Sequence, residues 1–185
     1  MCSSDLDIAR KKLPKVLFEF GDRGTEDEVS LRNNRAAFER LRFRTHTLVD
    51  VSGRNQETTV FGKRQKMPVC IAPTGLAGLW WYHGELALAR AAAAAGIPFT
   101  LATGSMTAME KVVSEAGGTL WFQLYMWPDR KMSYELVERA KASRFEALFL
   151  TADGAAPGNR EYNIRNGFAV PFRFTKRNVT DVMLH

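Results

Sequence analysis

The sequence is poor in cysteine and has no long hydrophobic run. Its 185 residues include two cysteines, Cys2 and Cys70, too few for a disulfide-dense secreted module. No stretch approaches the roughly 20 apolar residues that a membrane-spanning helix needs, and the first residues lack the apolar core of a signal peptide. Hydrophobic residues make up 45% and charged residues 25% of the chain, as in globular proteins. We therefore expect a protein of a reducing, cytoplasmic compartment with a sizeable core.

The charge is moderately basic and not concentrated in one segment. Lys and Arg number 26 against 20 Asp and Glu, which gives a net charge of +6. A solvated basic surface is the favoured interpretation, with attraction to anionic lipid, nucleic acid or an acidic small molecule as alternatives. Nucleic-acid binding ranks last, because the sequence has neither an aromatic-plus-basic RNA-binding module nor zinc-finger spacing.

Residues 1–66 predict a helical segment followed by a hairpin. Residues 1–6 are expected to be a non-native or disordered leader. Apolar residues then recur at helical spacing, and Pro14 is placed to open a second helix. Glu26-Asp27-Glu28 suits the positive N-terminus of another helix. The remaining residues, 42–66, predict a loop with a short hairpin, so that 7–66 form one N-terminal segment.

From Met67 onward, four short apolar runs alternate with helical segments. The runs are Val69–Ala72, Phe99–Leu101, Leu120–Tyr125 and Ala147–Thr151, and the helices between them are Glu85–Ala95, Thr107–Ala116 and Lys131–Ala142. Apolar strands that do not alternate, each followed by a helix, are typical of parallel strands covered on both sides. Such β/α units form either an open doubly wound sheet or a barrel.

Two features favour a (β/α)8 barrel. Polar or small residues follow every predicted strand, as on the active-site face of a barrel. The first strand is also not followed by the G-x-G-x-x-G motif of a dinucleotide-binding sheet. Only four β/α units fit into residues 67–185, whereas a whole barrel needs about 200 residues or more. These residues therefore predict the first half of a barrel.

The ends of the first and third predicted strands carry candidate binding residues. Pro73, Thr74 and Gly75 can bring backbone close to a flat ligand, although an ordinary strand-to-helix turn is the favoured interpretation. Gln123 and Tyr125 point to the same side of their strand. An amide suits the edge of a heterocycle and a phenol suits an acid or alcohol. Buried polar residues satisfied by neighbouring backbone are the alternative.

The fourth strand and the loop after it carry charged candidates. Thr151 and Asp153 share a side, and a carboxylate there can orient and charge-stabilise an imidazole, or else cap the turn at Gly154. Arg160 can clamp a carboxylate through two hydrogen bonds, or is a solvated loop residue. No catalytic base, metal-ligand spacing or Ser/His/Asp arrangement stands out, since none of the three histidines lies at a strand end: His46, His83 and His185.

Several motifs occur together and in one register. They are Ile71–Leu76, Gly96–Leu101, Trp121–Tyr125, Thr151–Asp153 and Gly158–Glu161, with Arg32–Asn34 and Met67–Val69. In this combination the sequence resembles the FMN-dependent α-hydroxy acid dehydrogenases and oxidases, which include L-lactate dehydrogenase, mandelate dehydrogenase and glycolate oxidase. Three segments are most similar to the mandelate dehydrogenase branch: Gly62–Gln65, Pro73–Gly75 and Gly84–Arg90. The resemblance runs from about Asp7 to His185 and corresponds to the N-terminal half of the family.

The resemblance implies a cofactor and a reaction. FMN would carry the redox chemistry in the oxidation of an L-2-hydroxy acid, mandelate- or lactate-like, to the 2-oxo acid. The implied flavin contacts are the backbone of Pro73, Thr74 and Gly75, with Gln123 and Thr151 on the pyrimidine side of the ring. Gly75 leaves more space above the flavin than alanine would, which permits an aromatic substrate.

The resemblance also implies how substrate is held. Tyr125 and Arg160 would contact its hydroxyl and carboxylate, and Asp153 would orient the catalytic histidine. The sequence departs from the family pattern at three positions, where Phe20 replaces a substrate-binding tyrosine, Ala102 a flavin-contacting serine and Arg23 part of a glycine-rich segment. The family's histidine and phosphate-binding loops belong to its second half, so we expect this chain to be inactive alone.

Other interpretations stay open beside this one. The chain can be a non-catalytic half-barrel for binding or assembly, or another FMN-dependent barrel enzyme. The resemblance implies a homo-oligomer for the intact enzyme and leaves quinone or oxygen as the electron acceptor. It also implies peripheral contact with the inner membrane in mandelate-type members, which residues 172–177 would approach unless they form an ordinary loop.

Overall fold

The computed structural model describes residues 3–154, 156, 158–169, 179–180 and 183. The chain divides into two compact units: unit 1 comprises Met1–Val49 and Ala156–His185, and unit 2 comprises Asp50–Ala155. The sequence instead suggested a boundary at 66/67, where the regular β/α pattern begins. The difference arises because the hairpin before Met67 packs on the sheet: the Phe61 ring lies 5.3 Å from Trp121 and 6.2 Å from Phe149.

Between residues 84 and 151 the helices and strands alternate as the sequence predicts. The helices are α1 (Ser3–Lys12), α2 (Lys15–Asp22), α3 (Val29–Glu39), α4 (Gly84–Ala95), α5 (Met109–Ala116), α6 (Arg130–Ala142) and α7 (Glu161–Asn166). The strands are β1 (Thr58–Val60), β2 (Lys63–Gln65), β3 (Phe99–Ala102), β4 (Leu120–Tyr125) and β5 (Ala147–Thr151), and a 3-10 turn, Ala77–Leu79, precedes α4. No helix in the described part of the chain is long and apolar enough to span a bilayer.

Unit 1 is a small helical assembly. Residues 3–6 lie in α1. Pro14 precedes α2, as predicted, and its fixed φ and missing N–H suit that position. The short helix α7 was not predicted; it packs against α2, where the Phe20 and Phe168 rings stack with centroids 4.2 Å apart.

Unit 2 contains a parallel sheet in the order β3-β4-β5. The first predicted strand, Val69–Ala72, is reduced to a single parallel bridge between Ile71 and Phe99. Prolines at 68 and 73 bracket this run and have no N–H to donate, which limits the ladder to the bonds that Ile71 makes. The prediction of a full first strand was therefore wrong in extent.

The core of unit 2 lies between β3–β4 and the helices that follow them. Leu101, Val112 and Phe122 are each no more than 1% exposed. β5 is different, because Leu148 and Leu150 are 48% and 60% exposed. The predicted cover on both faces of every strand is therefore wrong for β5. No strand pairs with its outer edge among the described residues.

Candidate functional site

Two loops meet at the C-terminal ends of the first strands of unit 2. The first follows Ile71 and contains Pro73, Thr74 and Gly75, which are all exposed. It is tied to the loop after β3 by a hydrogen bond from the Leu76 N–H to the Gly104 carbonyl, 2.9 Å. We call residues 72–79 and 102–107 the loop pair. The three predicted residues thus present open backbone beside a second loop, as a flat ligand would require.

The side chain of Gln123 joins the ends of three strands. It is 2% exposed. Its Oε1 accepts a hydrogen bond from the Thr103 backbone N–H, 3.1 Å, and its Nε2 donates to Thr151 Oγ1, 2.9 Å. Thr103 Oγ1 in turn donates to the Gln123 carbonyl, 2.6 Å, and accepts from the Tyr125 N–H, 3.0 Å. The structure therefore brings the predicted residues Gln123 and Thr151 into direct contact.

The Gln123–Thr151 pair retains donors and acceptors for a ligand. An amide has two N–H donors and two acceptor lone pairs, and these two hydrogen bonds use one of each. The Thr151 hydroxyl accepts from Gln123, which leaves its own hydrogen to donate. Such a mixed set fits the polar edge of a flavin, on which acceptors and an N–H alternate. Among the described residues every buried side-chain polar atom has at least one hydrogen-bond partner. Because the bonds to Thr103 and Thr151 hold the Gln123 amide in one orientation, its remaining N–H is preorganised for a ligand.

Tyr125 and Asp153 lie at the same ends of the sheet. Tyr125 pairs in register with Thr151 and is 48% exposed. Asp153 follows β5 and is exposed. Within the described residues no group of His, Cys, Asp and Glu is placed to hold a metal ion.

Arg160 belongs to unit 1 and lies against Phe20. Its Nη1 donates to the Phe20 carbonyl, 3.2 Å, and its guanidinium lies 5.4 Å from the centre of the Phe20 ring. Position 20 is the one that the resemblance assigns to a substrate-binding tyrosine. The structure thus places Arg160 beside position 20, and the carbonyl contact holds one side of the guanidinium fork.

Sequence reasoning missed two residues that organise the strand ends. One is Thr103, whose only sequence signal is its place directly after β3. The other is Glu85 in the first turn of α4, which is 1% exposed and accepts hydrogen bonds from both loops of the loop pair. Burial raises the pKa of Glu85, but the hydrogen bonds from Met106, its own N–H, Thr107 and Gly78 outweigh it, and its pKa lies below the usual value.

Residues 9–185 match the profile of the family described as FMN-dependent dehydrogenase. The chain belongs to this family. It is 42% identical over 178 residues to (S)-mandelate dehydrogenase from Pseudomonas putida, covering 96% of this chain and 45% of that protein. It is 43% identical over 171 residues to glycolate oxidase 1 from Zea mays, covering 92% and 46%.

Solved structures agree with this assignment. The monotopic membrane protein (S)-mandelate dehydrogenase superposes with a TM-score of 0.91 at 41% identity, over 98% of this chain and 48% of that one. A mandelate oxidase variant solved with (S)-mandelic acid gives a TM-score of 0.84 at 40% identity, over 90% and 50%. The chain thus spans about half the length of the proteins it matches.

The comparisons confirm the family, the barrel fold class and the family's cofactor. The fold is a partial (β/α) barrel, FMN is the cofactor of the family, and its members are oxidoreductases acting on CH–OH groups. The roles of individual residues stay predictions.

Proposed function

We propose that this chain takes part in the FMN-dependent oxidation of an L-2-hydroxy acid to the 2-oxo acid. The observation that carries the proposal is the Gln123–Thr151 pair at 2.9 Å, at the strand ends that also bear the open backbone of Pro73, Thr74 and Gly75. The relatives named for mandelate and glycolate support the substrate class. Which hydroxy acid is oxidised belongs to the proposal, and Gly75 permits an aromatic one.

The proposed flavin contacts are made by three segments of unit 2. The backbone of residues 73–75 lies against the ring, the second N–H of the Gln123 amide donates to its polar edge, and the Thr151 hydroxyl donates beside it. When bound, FMN supplies acceptance of the two electrons that leave the substrate. The protein groups position the ring and keep its polar edge hydrogen-bonded.

The proposed substrate contacts use charge and a phenol. The Arg160 guanidinium pairs with the substrate carboxylate through its remaining N–H donors, and the Tyr125 hydroxyl hydrogen-bonds the substrate hydroxyl. Asp153 orients a catalytic histidine and stabilises its charged form. Because His46, His83 and His185 do not follow predicted strands, we propose that residues 1–185 alone do not turn over the hydroxy acid.

Peripheral membrane contact is a further part of the proposal. It is supported by the relative described as a monotopic membrane protein and by the net charge of +6, which favours anionic lipid. Residues 172–177, to which the sequence analysis assigned this contact, lie outside the described residues. Co-sedimentation with anionic and neutral vesicles tests it, and equal recovery with both would contradict an electrostatic contact.

A flavin titration tests the central proposal. FMN is added to the purified chain and the flavin fluorescence and visible absorption are followed. We expect quenching and a shifted spectrum, with no bleaching when (S)-mandelate, L-lactate or glycolate is added without oxygen. Unchanged flavin spectra would refute the flavin role. Bleaching by a hydroxy acid would support the family reaction and refute the proposed inactivity of residues 1–185.

A non-catalytic assembly module is a second candidate, because the apolar residues of β5 are exposed. Leu148, Phe149 and Leu150 are 48%, 38% and 60% exposed, and an open strand edge with an apolar face favours association. Sedimentation velocity with and without FMN distinguishes the candidates. A self-associating chain that binds no flavin would favour the assembly module.

A further inference from the structure

We infer that Glu85 is a positioning residue that holds the loop pair in the arrangement required for flavin binding. This inference rests on the proposed function, because the loop pair contains the backbone assigned to the flavin ring. Glu85 itself is not assigned any contact with flavin or substrate. It lies in the first turn of α4 and contacts the loops through its buried carboxylate.

The carboxylate of Glu85 bonds both loops at once. Its Oε1 accepts from the Gly78 N–H in the first loop, 3.3 Å, and from the Met106 N–H in the second, 3.0 Å. Its Oε2 accepts from Thr107 Oγ1, 3.0 Å, also in the second loop. One side chain therefore receives three hydrogen bonds from two segments that are about 30 residues apart in the chain.

Packing around the carboxylate leaves little freedom. A Cβ added at Gly78 would lie 3.2 Å from the Cβ of Met106 and 3.4 Å from Glu85 Oε2. A Cβ added at Gly84 would lie 2.5 Å from the Ala77 carbonyl oxygen. The two loops and the start of α4 are thus in close contact, and small residues make that contact possible.

The loops need such a tether because they have little regular structure of their own. The Leu76 N–H bonds the Gly104 carbonyl at 2.9 Å, and Leu76 has a left-handed φ of 60°, which is unfavourable for a residue with a Cβ. A conformation of that kind persists when its surroundings fix it on several sides. The buried Glu85 carboxylate accepts hydrogen bonds from the Gly78 and Met106 N–H groups, which lie two residues after Leu76 and Gly104, respectively.

A purely structural role for Glu85 makes a different prediction. Loss of the carboxylate would then lower global stability and free only the amides that bond it directly. In the positioning role, the Leu76 amide also exchanges faster, although it bonds Gly104 and not Glu85. Flavin affinity then falls at a temperature where every variant is fully folded.

The experiment compares Glu85→Ala and Glu85→Gln with Glu110→Gln. Glu110 is a matched control because it also lies in the first turn of its helix, but it is exposed and pairs with Arg139 at 3.0 Å. Amide hydrogen exchange is measured residue by residue on the full chain, and FMN Kd is measured by fluorescence titration. Thr107→Val removes one donor to the carboxylate and serves where Glu85→Ala fails to fold.

For Glu85→Ala we expect exchange at Leu76 to rise about tenfold and FMN Kd to rise by a similar factor. Exchange in β4 should stay unchanged. Glu85→Gln should keep most of the protection at Leu76 and most of the FMN affinity. Its amide oxygen can accept from the Gly78 and Met106 N–H groups, and the Thr107 hydroxyl can instead accept from its NH2. Glu110→Gln should match the wild type.

Two results would overturn the inference. Unchanged protection at Leu76 in folded Glu85→Ala or Thr107→Val would show that Glu85 does not order the loop pair. Faster exchange with an unchanged FMN Kd would show that the ordered loops do not serve flavin binding. If the wild-type chain binds no FMN, the proposed function is refuted, and so is the claim that Glu85 supports flavin binding. The exchange data still decide whether Glu85 orders the two loops.

Discussion

Replacing Gln123 by leucine should separate the flavin role of this residue from its structural role. Leucine has a similar volume, so the buried site stays filled, but the Thr103 N–H and the Thr151 hydroxyl lose their partner. An unsatisfied buried polar group costs about 1–3 kcal/mol. Thr103 and Thr151 are half-buried, and water reaches them in part. We therefore expect the free energy of unfolding to fall by about 2 kcal/mol for the two groups together.

Flavin binding should respond far more strongly than stability. The variant lacks both the N–H proposed to donate to the ring and the bond that orients Thr151, so we expect FMN quenching to disappear at concentrations that saturate the wild type. Urea unfolding gives the stability change, and fluorescence titration gives the Kd. Both are measured under conditions where the variant is folded.

Gln65→Leu is the matched control. Gln65 is another buried glutamine, 3% exposed, with one long hydrogen bond of 3.5 Å to Thr119 Oγ1 at the opposite end of the strands. We expect a stability loss below about 1 kcal/mol and an unchanged FMN Kd. Wild-type FMN affinity in folded Gln123→Leu, or lost affinity in Gln65→Leu, would refute the assignment of the flavin site to this end of the sheet.

Three further outcomes are expected. Gly75→Ala should leave the thermal unfolding midpoint unchanged, because its Cβ would lie 3.7 Å from the Gly104 oxygen, an ordinary contact, and should alter the visible spectrum of bound flavin; a large fall in the midpoint would contradict this. FMN and riboflavin should bind with similar Kd at high salt, since the proposed contacts reach only the ring, and a tenfold preference for FMN would indicate a phosphate site in this chain. Burial raises the pKa of Glu85 but its hydrogen bonds outweigh this, so its contribution to stability is present above the usual value of 4.5 and is lost as pH falls through the lower folded pKa. Urea midpoints of Glu85→Gln should therefore depend less on pH below about 4.5 than those of the wild type, and parallel profiles would contradict the shift.

The regular part of the fold was predictable because its signals are local. The runs Leu120–Tyr125 and Ala147–Thr151 form β4 and β5 with the predicted bounds, since each is short, mainly apolar and followed by turn residues. The first strand was not predictable in extent. Its apolar residues satisfy the same pattern, but the flanking prolines decide how many ladder bonds can form.

The candidate site was predictable only where it coincides with strand ends. Gln123 and Thr151 were found because strand alternation and parallel pairing bring such side chains together. Glu85 carried no comparable signal. An acidic residue in a first helical turn is ordinarily a solvated partner of the helix dipole. Its burial depends on two loops that are distant in sequence, which no local pattern reveals.

The division of the chain into two units has a consequence for the order of events during synthesis. Unit 2 is one uninterrupted stretch whose contacts join neighbouring β/α elements, so it can fold as soon as residue 155 has left the ribosome. Unit 1 is split between residues before 50 and residues after 155, and its α2–α7 contact closes only after Phe168 has also left the ribosome. Helix α2 is translated before α7, so its apolar face stays uncovered while more than a hundred further residues are added to the chain. A nascent chain arrested between these points would carry the β3–β5 sheet and an unfinished helical unit.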